Sequence, residues 1–210
     1  CACLWRFVLA PGIRRRANAP LPVAGWPRIA ILVPCYMPNE KAIIEETLSK
    51  ILASDYPGEY TLHVPYNRPD DAHDAVEDRL GAVDAMATAD GRSMPFSSSR
   101  VLGSRSKAEN LMYGMEHLVP KDTSIVIIFD ADHHPRPDCV STLVRTLIAH
   151  NFSAVQGAVL VERGGPYWLR TLVDGMEWTN WNFWGPGFSV LVGSAFFGGG
   201  NAAWRKCARR

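Results

Sequence analysis

Short apolar runs alternate with amphipathic stretches along most of the chain. The first run, residues 28–33 (RIAILV), is rich in β-branched side chains and stops at Pro34, which predicts a buried strand. Apolar side chains then recur at three- and four-residue spacing over residues 43–52, which predicts a helix that Asn39 can cap. Residues 60–64 (YTLHV) predict the next strand. The order is therefore strand, helix, strand.

The same alternation continues through the second half. It predicts a helix from Arg68 to Met86, a loop with a short strand at residues 97–103, and then a helix at 107–118, a strand at 124–129, a helix from Pro137 to Ile148 and a strand at 152–161. The run at 124–129 (SIVIIF) is nearly continuous in β-branched residues, as expected of a central strand covered on both faces. Strands that alternate with helices in this way favour an α/β fold with a mostly parallel sheet.

Charge and cysteine content exclude several classes of function. Lys and Arg total 22 against 21 Asp and Glu, a net charge of +1, so the chain lacks the basic excess of a nucleic-acid-binding protein. The five cysteines form no CxxC pair. We interpret them as reduced thiols of a protein that faces the cytosol, and not as a disulfide framework or a zinc site.

The first 27 residues differ from the rest. Residues 1–10 are apolar apart from Arg6, and the arginines at 14–16 follow with no acidic residue before residue 28. This pattern fits the stub of a membrane helix with a basic cytoplasmic flank. It fits equally a frayed apolar terminus beside a solvated basic patch. Because the chain begins with Cys, we expect a fragment of a longer protein.

An aromatic-rich stretch covers residues 167–197. It contains four tryptophans and few charged residues. Such side chains favour membrane interfaces or carbohydrate surfaces, and an aromatic-rich core helix is the alternative.

Polar residues that directly follow the predicted strands are the first candidates for chemistry, because ligands of open α/β sheets bind beyond the carboxyl ends of the strands. Such sets occur at residues 34–40, 67–71 and 130–134. In the last set, Asp130 and Asp132 are two residues apart, so an extended backbone points both carboxylates the same way. Two carboxylates suit a hard divalent cation, which stabilises a departing diphosphate. Surface turns and helix caps also produce this spacing.

Other catalytic motifs give little support. His133 and His134 can add a metal ligand or orient a carboxylate, or they are loop residues. The sequence contains no HExxH, GxSxG or P-loop lysine motif. The glycines at 198–200 follow an aromatic run and not the first strand, so they do not form a dinucleotide-binding turn.

Five segments, in this order, resemble family 2 glycosyltransferases. They are VPCYMPNE (33–40), SRSKAENLMYG (104–114), FDADHHPRP (129–137), VQG (155–157) and FFGGGNAAWR (196–205). The nearest resemblance is to the membrane-embedded, processive, cellulose-synthase-like branch. It spans about residues 28–205, and the DADH and SKAxNL segments together are more specific than either alone.

The resemblance implies a GT-A fold, a nucleotide-sugar donor, Mg²⁺ or Mn²⁺, and inversion at the anomeric carbon. It divides the chain into a basic flank at residues 1–27 and a C-terminally truncated GT-A domain at 28–210. By position, the implied donor-binding residues are Tyr36, Glu40, Lys107 and Asp130, the metal ligands are Asp132 with Asp130, and the residues near the sugar and acceptor are Gln156, Gly199, Gly200 and Asn201. Each also has a structural interpretation, as a packing, capping, surface or turn residue.

Two departures from the family pattern matter. Members usually carry an Asp after the second strand to hold the nucleobase, whereas this chain has VPYN at 64–67, so Asn67 or Asp70 must substitute. The general base and the segment that binds the acceptor are expected beyond Arg210. We therefore expect these residues to bind donor and metal but to lack a catalytic base, and so to be inactive by themselves.

The sequence thus predicts the donor-binding part of an inverting glycosyltransferase that moves a sugar from a nucleotide-diphosphate donor, with a UDP-sugar as the expected donor, to a polysaccharide or lipid acceptor. The expected location is the cytoplasmic face of a membrane, reached through flanking helices, with no nucleic-acid partner. One alternative is a non-catalytic nucleotide-binding scaffold of the same fold. Another is a nucleotidyltransferase, which also pairs carboxylates with a metal.

Overall fold

A central β-sheet organises the molecule. The computed structural model describes residues 25–88, 91–159, 166–192 and 197–206, and within them eight strands form one sheet. The strands are β1 (Ile29–Leu32), β2 (Cys35–Tyr36), β3 (Tyr60–Asn67), β4 (Ala85–Ala87), β5 (Ser93–Arg100), β6 (Ile125–Ile128), β7 (Ala154–Gln156) and β8 (Ala202–Arg205). The helices are α1 (Met37–Glu40), α2 (Ile44–Leu52), α3 (Ala75–Gly81), α4 (Lys107–Tyr113), α5 (Cys139–Ala149), α6 (Tyr167–Thr179) and α7 (Gly185–Val192), with π-helical turns at Gly114–Leu118 and Asn180–Trp184.

The sheet is mostly parallel. Its strand order is β4-β5-β3-β1-β6-β8-β7, and β2 pairs with β3 beyond the end of β1. Strands β5, β3, β1 and β6 run parallel to one another. Strand β4 runs antiparallel to β5, and strand β8 runs antiparallel to β6. The α/β fold with a mostly parallel sheet, predicted from the alternation of strands and helices, is confirmed.

The central strand β1 is buried on both faces. Ile29 and Ile31 point into the larger core, which α2 and α5 cover, while Ala30 and Leu32 belong to a smaller cluster under α4 and its π turn. Full burial of an Ile or Leu side chain contributes about 1.5–3 kcal/mol. The π turn lies very close to the sheet, because a Cβ atom on Gly114 would come within 2.9 Å of Leu32. A larger residue there would have to displace the side chain of Leu32.

A break separates β1 from β2. The register pairs Leu32 with His63 and Cys35 with Tyr66, which puts Pro34 opposite Pro65. Neither proline has an N–H to donate, so the ladder is interrupted at this point. Strand β1 pairs with β3 on one side and with β6 on the other, whereas the pairing of β2 is with β3. Past Leu32 the backbone therefore diverges from β6.

Three local predictions were wrong. The helix predicted from Arg68 to Met86 is only α3, which begins at a capping box formed by Asp74 and Glu77, and Met86 lies in strand β4. The loop with a short strand predicted at 97–103 understates strand β5, which runs from Ser93 to Arg100 because pairing with β3 stabilises it. Asn39 lies inside α1 and does not cap α2.

The membrane-related predictions fall partly outside the described residues. Residues 1–24 lie outside them, so the basic flank and the boundary at residue 27 stay predictions. The aromatic-rich stretch forms α6, a π turn and α7, with Trp168, Trp184 and Phe188 exposed. Among the described helices, none has both the length and the apolar character needed to cross a bilayer.

Candidate functional site

A cleft of about 460 Å³ opens at the carboxyl ends of the parallel strands. It is lined by Pro34, Cys35, Tyr36, Glu40, Asn67, Arg105, Ser106, Lys107, Asn110, Asp130 and Asp132. These residues follow β1, β3 and β6 or begin α4. The structure therefore brings most of the predicted donor and metal residues to one place.

Asp130, Asp132 and His133 form an acidic group just past the end of β6. Each offers a ligand atom, and these atoms all lie within 4.8 Å of one another. Asp132 is exposed to the cleft, whereas Asp130 is partly buried, with 26% of its side chain exposed. The Nδ1 atom of His133 is buried and has no hydrogen-bond partner among the described residues. The group has the ligand types and the spacing for one divalent cation.

Lys107 provides the positive charge opposite these carboxylates. Its ammonium donates to Asp130 Oδ1 and also to the carbonyl oxygen of Gly199, 2.7 Å away. Ser106 caps α4 by accepting from the backbone N–H of Glu109, and this cap fixes the start of the helix beside the cleft. The lysine is 39% exposed, so a ligand in the cleft can reach it.

Glu40 and Tyr36 form the wall contributed by β2 and α1. The Oε2 atom of Glu40 accepts from the backbone N–H of Tyr36 at 2.5 Å. Burial raises the pKa of Glu40, and the negative charges of Asp132 and Asp130 raise it further, while its hydrogen bonds lower it. A cation bound between the two aspartates would partly relieve this repulsion.

A buried amide network ties three segments of the cleft together. Asn110 is 1% exposed and donates to Asn67 Oδ1 at 2.7 Å and to the carbonyl oxygen of Cys35 at 3.3 Å. Its own Oδ1 accepts from Ser104 Oγ at 2.7 Å, and Asn67 donates to the Ser104 carbonyl at 3.1 Å. The network joins the ends of β1 and β3 to the loop before α4. Because Asn67 is engaged in this way, its side chain holds the cleft together from within.

The structure separates Asp70 from the cleft. Its carboxylate accepts from Arg68 Nε at 2.6 Å, and this ion pair lowers the pKa of Asp70. Arg68 also donates to Asp74 and to the fully buried carboxylate of Glu77. Asp70 therefore belongs to an ion-pair network that fixes the loop after β3, and it is not among the residues that line the cleft.

The four residues predicted near the sugar and acceptor meet behind the acidic group. Gln156, at the end of β7, bonds to Gly200 and Asn201 in the turn before β8. The same turn contains Gly199, whose carbonyl contacts Lys107. A Cβ atom on Gly200 would lie 2.8 Å from the carboxyl group of Asp130. The turn thus packs directly against the side chain of Asp130.

A second cleft of similar volume lies between α2, α3 and β4. Its lining is mostly apolar, with Leu48, Leu80 and Met86, and its charged residues Glu45 and Arg79 pair with each other at 2.7 Å. Among the residues that the structure describes, the group of potential metal ligands, Asp130, Asp132 and His133, adjoins the first cleft and not this one.

Sequence reasoning assigned no site role to five of the residues in the cleft, one of which is Pro34 at the break between β1 and β2. Arg105 and Ser106 adjoin Lys107, and Asn110 lies one helical turn further on. Cys35 lies under Glu40, and burial raises the pKa of its thiol. The segment SRSKAEN was recognised as a whole, but the only usable signal for Asn110 was an amide three residues after the lysine, where a helix presents both on one side.

Comparisons with known proteins agree with this geometry. The profile of the family described as "Glycosyltransferase like family 2" matches residues 27–208. No curated protein matches the chain.

Two solved structures illustrate the similarity. One is the mannosyltransferase PcManGT from Pyrobaculum calidifontis in complex with GDP-Man and Mn²⁺, at 24% identity and a TM-score of 0.49, covering 76% of this chain and 44% of that chain. The other is S. aureus TarS 1-349 in complex with UDP-GlcNAc, at 17% identity and a TM-score of 0.47, covering 66% of this chain and 37% of that chain. The chain spans less than half the length of either. By its sequence profile, and with the mixed, mostly parallel sheet of the GT-A fold, the chain belongs to the family 2-like glycosyltransferases.

Proposed function

We propose that the cleft binds a nucleotide-diphosphate sugar together with a divalent cation, and that the protein transfers the sugar with inversion. The observation that carries this proposal is the placement of Asp130 and Asp132 at the end of β6, in one cleft with Lys107. Carboxylates and an ammonium group at one site match a diphosphate held by a cation and a lysine.

The residues present fit Mg²⁺ or Mn²⁺. Asp130 and Asp132 supply the oxygen ligands that these ions prefer, and His133 offers a ring nitrogen within 4.8 Å of their ligand atoms. When bound, the ion would stabilise the negative charge that develops on the leaving diphosphate. Lys107 would shift from Asp130 to a phosphate oxygen, and Arg105 at the mouth of the cleft would add a second positive charge.

The nucleoside would lie along β2 and the end of β3. Tyr36 is 38% exposed beside the cleft and offers its ring to a base, while Glu40 can accept from a ribose hydroxyl. No carboxylate of the family kind lines this part of the cleft, because Asp70 pairs with Arg68. UDP is the diphosphate that we propose.

The proposed transfer forms one bond at the anomeric carbon and breaks another. An acceptor hydroxyl oxygen forms a bond to the anomeric carbon from one face while the bond to the diphosphate breaks on the other, which inverts the configuration. The hydroxyl proton must pass to a general base. We assign that base to none of the described residues.

The acceptor and the location extend this proposal. We infer a polysaccharide or lipid acceptor and a place at the cytoplasmic face of a membrane, as in the cellulose-synthase-like branch. The exposed side chains Trp168, Trp184 and Phe188 on α6 to α7 support an interfacial location, because amphipathic rings favour such surfaces.

Calorimetric titration tests the site. UDP and GDP are titrated into the protein with and without Mn²⁺, and we expect binding that depends on the ion. The substitution Asp132→Asn should weaken binding in Mn²⁺ by more than tenfold, whereas Asp71→Asn, at an exposed acid outside the cleft, should leave it unchanged. Equal binding by Asp132→Asn and wild type would refute the metal site.

A further inference from the structure

We propose that Gln156 is a positioning residue: it holds the turn of residues 198–201, and through that turn it sets the positions of Lys107 and Asp130. This inference rests on the proposed function. It assigns Gln156 a role different from the sugar contact that the family resemblance implies.

The amide of Gln156 is fully engaged as a donor. Its Nε2 atom donates to the carbonyl oxygens of Gly200 at 2.7 Å, Gly157 at 2.9 Å and Asn201 at 3.1 Å, and its Oε1 accepts from the backbone N–H of Gly198 at 3.1 Å. A carboxamide nitrogen carries two hydrogens, so these carbonyls use both. A sugar hydroxyl could receive one of them only if the turn opened.

The turn needs such support because its backbone is unusual. Gly199 has φ of +92° and Asn201 has φ of +53°, both in the left-handed region. That region costs a residue with a Cβ atom about 1–2 kcal/mol. Asn201 is held there by two further bonds to the strand end, from its Nδ2 to the Ala158 carbonyl at 2.9 Å and from the Gly157 N–H to its own carbonyl at 2.8 Å. Gln156 and its two successors therefore hold the whole turn.

The turn of residues 198–201 restricts the positions of two side chains in the cleft, Lys107 and Asp130. The carbonyl of Gly199 is one of the two acceptors for the Lys107 ammonium. The backbone of Gly200 lies so close to the carboxyl group of Asp130 that even a Cβ atom would be 2.8 Å from it. If the turn moved, Lys107 would lose one acceptor and Asp130 would lose the wall behind it. The geometry of both groups toward a diphosphate thus depends on Gln156.

Two variants separate positioning from direct sugar contact. Gln156→Met keeps the length of the side chain and removes all its hydrogen bonds, and Gln156→Glu keeps the acceptor and removes the donors. The matched control is Thr146→Val, which removes a side-chain-to-carbonyl bond of 2.8 Å within α5, away from the cleft. Each protein is first checked for a native thermal transition, and either Gln156 variant alone is sufficient for the test.

The first measurement needs no ligand. The ¹⁵Nζ resonance of Lys107 is assigned by its loss in Lys107→Met, and we expect it to shift and to exchange faster with water in both Gln156 variants but not in Thr146→Val. The second measurement is titration of UDP and of UDP-glucose in Mn²⁺. We expect both affinities to fall by the same factor, on the order of tenfold, as the loss of about one to two hydrogen bonds predicts.

An unchanged Lys107 resonance in the variants would overturn the inference. So would a loss of UDP-glucose affinity with unchanged UDP affinity, since that pattern means that Gln156 touches the sugar. If the wild-type protein binds neither UDP nor GDP in Mn²⁺, the proposed function fails, and the ligand-free resonance still decides whether Gln156 positions Lys107.

Discussion

Replacing Asn110 with leucine should destabilise the protein and loosen the cleft. The side chain is 1% exposed and makes three hydrogen bonds, to Asn67, to the carbonyl of Cys35 and from Ser104. Leucine has a similar volume, so the loss is chiefly that of the polar contacts. At about 1 kcal/mol for each bond, the free energy of unfolding should fall by about 3 kcal/mol. For a domain of this size, that corresponds to a decrease of roughly 6–12 °C in Tm.

Urea unfolding followed by fluorescence measures the change, with the midpoint decreasing at constant m-value. The control is Met112→Leu, a substitution on the same helix at a side chain that is 62% exposed, for which we expect a change within about 0.5 kcal/mol. Nucleotide affinity should fall together with stability, because the network joins the ends of β1 and β3. A loss below about 1 kcal/mol for Asn110→Leu would show that the network does not hold the cleft.

Three further outcomes follow from charges in and near the cleft. Burial lowers the pKa of His63 to about 4. The neutral imidazole therefore contributes about 3 kcal/mol of stability above its unfolded pKa of about 6.5, and this contribution is lost as the pH falls toward 4. The substitution His63→Gln should flatten the pH dependence of Tm between these two values. Glu40 has a raised pKa, so folding is disfavoured as the pH rises through that pKa; Glu40→Gln should raise Tm at pH 7 but not at pH 4, and an equal shift at both would contradict the assignment. In the absence of nucleotide, Lys107→Met should increase the affinity for Mn²⁺ about threefold, because the lysine ammonium no longer competes with the ion for Asp130. Electron paramagnetic resonance measures this affinity, and an unchanged value would argue against the competition.

The order of strands and helices could be predicted because most elements carry a strong periodic signal. The run at 124–129 and the helix over 43–52 are examples, and both lie within one or two residues of the observed β6 and α2. The full length of strand β5 could not be predicted from its own sequence, which indicated only a short strand within residues 97–103. Its serines favour loops, and only the neighbouring strand β3 makes it a strand.

The part of the site that lies within a single sequence motif could be predicted. The position of Asp130 and Asp132 at a strand end follows from the run before them. The engagement of Gln156 with the 198–201 turn does not, because it depends on a contact between segments more than forty residues apart. Asp70 pairs with Arg68, two positions away, and only the fold shows that this pair lies outside the cleft. In the same way, Asn67 could be named as a candidate but not recognised as a partner of Asn110.

The break between β1 and β2 has a consequence for ligand binding. Pro34 cannot donate a hydrogen bond to either flanking strand, and its ring fixes φ, so the backbone is obliged to leave β6 at this point. The backbone itself therefore shapes the gap that opens toward Asp130. A ligand that enters this gap does not have to separate strands of the sheet. More of the energy of its contacts is therefore retained as affinity.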